Sequence, residues 1–404
     1  MSGASLSAAE PVTLLDFTSA EQRRILQHGP WPPPTAHDAG NAHSARPAAV
    51  ALGQRLFFDA RLSPDARLAC ATCHVPNRAF SDGLARSMGR GALDRNAPSL
   101  WNAVHERWYG WDGAYDSLWS QALHPLLNPL EMASSAEHVA AVVAGDDQLA
   151  CLYQRMVGPS ARSADRAASA APRGEAVALS ADPETTLVNV AKGLGAFVAT
   201  LVSGRTPFDD FRDALSNGDR AAAARYPLAA QRGLRLFIGR GQCSTCHVGA
   251  RFSNGEFGDI GLGFFSRPGV VDPGRHAGIQ ALRASRFNLL SRWSDAPGDE
   301  AALKTRHVTG QHRNFGEFKV PSLRNVADTA PYMHDGQLAT LDDVVRHYSD
   351  LNLDRLHADG ERILVPLHLT AAERSDLVAF LRTLSDPKAG RWTESPMKRS
   401  PSCP

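Results

Sequence analysis

Cys70-Ala-Thr-Cys73-His74 and Cys243-Ser-Thr-Cys246-His247 are the two stretches on which the reading of this chain turns. Both have the form Cys-x-x-Cys-His, and together they use four of the six cysteines in 404 residues. In this pattern the two thiols add to the vinyl groups of a haem and the adjacent histidine coordinates its iron. Zinc is the first rival, but a structural zinc site needs four ligands in closed tetrahedral geometry, and neither group has a second half nearby. Thiol–disulfide exchange also uses Cys-x-x-Cys, yet it does not require the histidine that follows in both copies. The expectation is two covalent haem c groups, one on Cys70, Cys73 and His74, the other on Cys243, Cys246 and His247. Cys151 and Cys403 remain, as free thiols or as a disulfide. Cys403 sits in a Pro/Ser-rich tail, where no structural role is expected.

Outward from the motifs, Gly53-Gln-Arg-Leu56-Phe57 precedes the first and Gly233-Leu-Arg-Leu236-Phe237 the second. Each reads as an amphipathic helix running toward its haem and packing on it, so two tandem c-type cytochrome-like domains are expected. The fold class is mainly α with long loops, because strand signals are sparse. Residues 1–45, rich in Ala, Pro and His, read as an extension. The first haem domain spans 46–225, with an Ala/Ser/Arg-rich insertion at 159–184. A helix from about 186 to 203 leads into the second domain, 226–390, and 391–404 is a tail. Thr370-x-x-Glu373 is a capping box before Leu377, Phe380, Leu381 and Leu384, which predicts a terminal helix.

Composition narrows the function classes. Hydrophobic residues make up 43% and charged residues 21% of the chain, as in a globular protein, and the formal charge is +1. No overall field and no basic cluster invites nucleic acid or an anionic membrane. The longest apolar stretches, such as 194–202, are too short to span a bilayer. Met1-Ser-Gly-Ala-Ser-Leu-Ser lacks the basic-then-apolar run of a secretory signal. Covalent haem attachment in bacteria takes place outside the cytoplasm, so a periplasmic location is expected, with a signal removed or replaced.

Two longer stretches carry a family resemblance. Trp111-Asp-Gly-Ala-Tyr-Asp-Ser-Leu-Trp-Ser-Gln121-Ala-Leu-His-Pro125-Leu-Leu-Asn-Pro-Leu-Glu131-Met and Phe318-Lys-Val-Pro-Ser-Leu-Arg-Asn-Val-Ala-Asp-Thr-Ala-Pro-Tyr-Met-His-Asp-Gly336 resemble the bacterial di-haem cytochrome c peroxidase and MauG family, from about residue 50 to 386. The resemblance implies a peroxide-reactive haem in the amino-terminal domain, with His74 as its proximal ligand, and an electron-transfer haem in the other. It places Gln121, Pro125 and Glu131 in the distal pocket and Trp111 between the haems. Splitting an O–O bond requires an acid/base that moves a proton from the inner to the outer oxygen, a role a carboxylate held near iron can fill. Glutamine can hydrogen-bond peroxide but cannot shuttle its proton, and proline offers no donor. Without the family pattern, a lone Glu on a helix reads as solvated and a Trp as core.

One position departs from the pattern. Peroxidases of the family that need reductive activation carry a distal His on the loop after the first motif. Alignment through Phe80-Ser-Asp-Gly-Leu-Ala-Arg-Ser-Met-Gly89 places Arg90 there, and arginine is not an iron ligand. A first haem already open in the diferric protein is therefore expected. For the second haem, His247 is the proximal ligand and Met333, His334, His347 and Tyr348 are distal candidates. Residues 340–349 look helical, with Leu341, Val344, Val345 and Tyr348 on one apolar face and His347 turned about 100° away. The resemblance puts Met at the Tyr348 position in the peroxidases and Tyr in MauG. A hard oxygen donor favours higher oxidation states than a thioether does, so Tyr348 leans toward MauG, with water or hydroxide as the other possible sixth ligand. The resemblance also implies a calcium ion between the domains, on Asn96 of Arg95-Asn-Ala-Pro-Ser99 and on the carbonyls of Thr329 and Pro331.

The expected function is thus an oxidoreductase that takes hydrogen peroxide at the first haem, stores its oxidising power as high-valent iron shared with the second, and oxidises a protein or a small electron donor. The alternatives are a reductively activated peroxidase fed by a cytochrome or cupredoxin, and a non-catalytic di-haem electron carrier.

Overall fold

The computed structural model describes residues 13–34, 36–158, 182–263, 265–356, 363–389 and 403. Among these the chain is mainly helical. Strands are confined to two antiparallel pairs, Phe257–Gly258 with Phe318–Lys319 and Phe265–Arg267 with Val270–Val271.

The helices bury two large apolar clusters, beside a small one of Ala103, Val104, Tyr109 and Leu118. The first joins Pro47–Phe57, Leu118–Leu127, Ala136–Ala144, Asp147–Val157 and Pro183–Ala199 through Leu52, Trp119, Val139, Leu152 and Leu194. The second joins Ser19–Leu26, Pro207–Ser216, Leu228–Ile238, Leu341–Ser349 and Ala371–Arg382 through Ile25, Phe208, Leu234, Val345 and Phe380. Each such side chain, removed from water, contributes roughly 1.5–3 kcal/mol.

The Gly-x-x-Leu-Phe repeat has a packing cause. A Cβ on Gly53 would lie 1.9 Å from the Gly193 carbonyl oxygen, and one on Gly233 would lie 2.0 Å from that of Asp376. In each half, glycine lets the helix before the haem motif lie directly against the backbone of a later helix. Phe237 reaches the cavity described below, whereas Phe57 packs edge-on against Phe80 and Phe197 in the first cluster.

Thr370 caps Ala371–Arg382, with Glu373 reaching back to the Thr370 N–H. The helix expected at 186–203 begins earlier, at Pro183 behind its Asp182 cap, and ends at Ala199. The expected insertion, 159–184, lies outside the described residues as far as 181. The amino-terminal stretch is packed from residue 13 onward: Gln231 bonds Thr13 and Leu15, and Trp31 donates to the Ser203 carbonyl under the Arg324 guanidinium.

The expectation for Cys403 is wrong. Cys151 and Cys403 form a disulfide with Cα atoms 5.9 Å apart, and Cys403 is buried in the first cluster. A tail's composition reports local preference only, whereas this bond is set by where the tail's end meets the Asp147–Val157 helix.

Candidate active site

A cavity of about 690 Å³ is lined by Cys73 and His74 from the first motif and by Cys243, Cys246 and His247 from the second. In both motifs a short turn of helix brings the histidine round. The imidazole Nδ1 then sits 3.0 Å from the Phe80 carbonyl oxygen in His74, and 2.9 Å from that of Phe252 in His247. A carbonyl only accepts, so Nδ1 carries the proton and Nε2 keeps the lone pair that a metal takes. Burial holds both imidazoles below their ordinary pKa, hence neutral. Burial also pushes the Cys70 thiol up to about 12 and the Cys73 thiol to about 11. Thiols that acidify so late, and that form no disulfide within their motifs, are not built for thiol exchange. Two anchored imidazoles with thiol pairs beside them, on one largely apolar cavity, fit two haem groups.

The wall near His74 is supplied by the Leu118–Leu127 helix and the turn after it. Buried Asp38 accepts from the Leu118 and Trp119 N–H groups and fixes the start of this helix. Gln121, His124 and Pro125, at i, i+3 and i+4, all border the cavity. The Gln121 side-chain oxygen is buried without a protein partner. Pro125 has no N–H to return to the Gln121 carbonyl, and the helix stops at Asn128, before Pro129.

Glu131 lies on the following turn, not on a helix. Its Oε1 accepts from Asn128 Nδ2 at 2.9 Å and lies 3.1 Å from His124 Nε2. Burial raises its pKa, but the bonds from His124 and Asn128 outweigh this and hold the carboxyl below the usual range. The 87–92 loop clamps the same turn through Arg90 N–H to the Glu131 carbonyl and Gly91 N–H to that of Leu130. A Cβ on Gly89 would stand 2.4 Å from the Leu130 oxygen, so the clamp needs glycine there. The Arg90 side chain pairs with Asp65 at 2.6 Å and does not border the cavity.

Trp111 ties the two ends of the cavity together. Its indole N–H donates to the Asn96 carbonyl at 2.9 Å, and its own carbonyl accepts from Lys319 N–H at 2.8 Å. Met333, His334 and Tyr348 all border the cavity, Tyr348 within reach of the Cys243 and Cys246 charges, while His347 donates Nε2–H to the Ile260 carbonyl at 2.7 Å. Leu341, Val344, Val345 and Tyr348 share the cavity-facing side of Leu341–Ser349. The Tyr348 hydroxyl has no protein hydrogen bond among the described residues, and burial raises its pKa. Asn96, Thr329 and Pro331 also line the cavity. Asn96 Nδ2 donates to the Leu84 carbonyl at 2.7 Å. Among the described residues no cluster of three or more His, Cys, Asp or Glu is placed to hold a metal ion. Sequence reasoning overlooked His124, which carries no periodic or motif signal of its own.

Residues 47–217 match the family model described as di-haem cytochrome c peroxidase. The methylamine utilization protein MauG of Methylorubrum extorquens is 35% identical over 345 residues, which are 85% of this chain and 80% of that one. The chain belongs to the di-haem cytochrome c peroxidase and MauG family. Cytochrome-c peroxidase IdrP2 of Pseudomonas sp. is 31% identical over 91% of this chain and 87% of its own. The crystal structure of a MauG-like protein associated with microbial copper homeostasis superposes with a TM-score of 0.63 at 26% identity, covering 90% of this chain and 97% of that one. The family is one of peroxide-using di-haem enzymes, and this member carries both cysteine pairs that such haems require. No helix among the described residues is long and apolar enough to cross a membrane.

Proposed function

We propose that this protein reacts with hydrogen peroxide at the haem on His74 and uses the oxidising equivalents, shared across Trp111 with the haem on His247, to oxidise a partner protein or a small electron donor in the periplasm. The carrying observation is that Gln121, Pro125 and Glu131 line the same cavity as His74, with Glu131 close enough to feel the His74 charge. When bound, haem iron supplies the redox chemistry. The chain supplies the rest. Glu131 Oε2, which has no protein hydrogen bond among the described residues, is the atom that takes and returns the peroxide proton. The unpartnered Gln121 oxygen accepts a hydrogen bond from bound peroxide, and Pro125 keeps that side free of competing donors.

Tyr348 is the proposed sixth ligand of the second haem. Its unpartnered hydroxyl on the cavity wall supports this, and the engagement of His347 with Ile260 removes one rival. A raised phenol pKa means that ligation must draw on the charge of iron to displace the proton. A calcium ion at Asn96, Thr329 and Pro331 would rest on neutral oxygens alone, with Asn96 Oδ1 still available.

One experiment tests the reading. The diferric protein is mixed with one equivalent of peroxide while its absorption and electron paramagnetic resonance spectra are followed. A high-spin haem in the resting spectrum and an immediate change without prior reduction are expected. Two low-spin haems and no change would reduce the protein to an electron carrier, and a change only after reduction would make it the activated type. A Tyr348→Phe variant should lose the low-spin signal of the second haem.

A further inference from the structure

We propose that His124 is a positioning residue that relays protons between solvent and Glu131. The proposal rests on the peroxide reading above for its use, though not for its geometry. Reduction of one peroxide to water, H2O2 + 2 e− + 2 H+ → 2 H2O, takes two electrons from the donor and two protons that must enter the pocket from outside. Glu131 is mostly buried, with its side chain 21% exposed, and Asn128 beside it can hydrogen-bond but not exchange a proton at ordinary pH. The His124 ring is 42% exposed, borders the cavity, and has Nε2 3.1 Å from Glu131 Oε1. Among the described residues hydrogen-bonded to the carboxylate, it is the one that is both ionisable and open to solvent.

The groups around this pair come from three elements. Asn128 Nδ2 lies 3.3 Å from His124 Nε2 and 2.9 Å from Glu131 Oε1 on the turn that ends the helix. Tyr115 packs its ring 5.3 Å from the imidazole, and Asp112, on the same stretch, is near enough to feel the His124 charge. His74 acts on Glu131 in the same way from the haem-motif side. In a relay step Nδ1 takes a proton from hydronium in the solvent, leaving water, while the Nε2–H bond breaks with its electron pair left on nitrogen and an O–H bond forms at Oε1. Loss of the Nδ1 proton to solvent and gain of one at Nε2 from solvent restore the starting tautomer, so the net transfer is one proton from solvent to Glu131. No electron moves in this step; the two electrons come from the donor.

The test uses the diferric holoprotein and three variants. His124→Phe removes the contact, His124→Gln keeps a hydrogen-bond donor without a relay, and His124→Ala leaves room for added imidazole. Donor-supported peroxide turnover should fall by about 10²-fold in all three and recover with imidazole only in His124→Ala. The infrared band of the Glu131 carboxyl, identified by its loss in Glu131→Gln, should titrate at higher pH in His124→Phe. Turnover within about twofold of wild type in His124→Gln and His124→Phe would overturn the relay. An unmoved carboxyl band would overturn it too, whatever the protein does with peroxide. A wild-type protein inert to peroxide would defeat the functional reading instead, and the band would still decide the coupling.

Discussion

At the scale of single residues, the two haem motifs demand different things of their surroundings. Glu131, Gln121 and Pro125 line the cavity together with His74, and Tyr348 lines it within reach of Cys243 and Cys246. Replacing Glu131 by Gln keeps the shape and the contact with Asn128 but removes the base. The rate of reaction with peroxide in stopped flow should drop by about 10²–10⁴-fold, with haem staining and folding unchanged. His28 offers a separate check on stability. It is fully buried and stacked on Phe252 at 4.6 Å, and burial lowers its pKa to about 4. Between about 6.5, the value in an unfolded chain, and 4, the unfolded state binds the proton that the folded state refuses. Stability from this group is therefore complete above about pH 6.5 and is lost as pH falls toward 4, by roughly 3 kcal/mol in all. Denaturation midpoints from pH 7 to 5 should decline less steeply in His28→Leu.

At the scale of elements, the paired glycines make a sharp prediction. A methyl group on Gly53 or Gly233 would overlap a carbonyl of the neighbouring helix, so Gly53→Ala and Gly233→Ala should each cost about 1–3 kcal/mol or more in urea denaturation. Gly298→Ala, with nothing within 4 Å of its added methyl, should be close to neutral. The same scale shows what could be read from sequence. Leu341–Ser349 was legible because its apolar residues recur with the helical period, and its orientation followed from that alone. The glycine repeat was visible, but its partners, Gly193 and Asp376, lie on distant helices that no local pattern announces. Glu131 was reached only through a family pattern, since a turn carboxylate has no periodicity. His124 was missed because its meaning comes from a neighbour seven residues on, across a helix end.

At the scale of the molecule, two apolar clusters share one cavity, and covalent and polar ties cross between the halves. Trp111 accepts from Lys319, and Arg95 pairs with Asp272 at 2.7 Å. The two cysteine motifs foretold the pair of binding sites because covalent attachment uses contiguous residues. The Cys151–Cys403 bond stood in the sequence only as one of two possibilities, since 252 residues separate its ends and no local pattern joins them. Closing so long a loop restricts the unfolded chain, so Cys151→Ser or Cys403→Ser should lower stability by about 2–4 kcal/mol, measured as a fall in thermal midpoint under non-reducing conditions.

That bond also makes the polypeptide a closed ring from residue 151 to residue 403. A protease that cuts once between residues 152 and 242 leaves two pieces, each with one Cys-x-x-Cys-His motif, yet neither can leave the other. On a non-reducing gel the nicked protein should run as one haem-staining band. With reductant it should part into two, each carrying its own pigment, so a single lane would report both the closure of the ring and the loading of each motif.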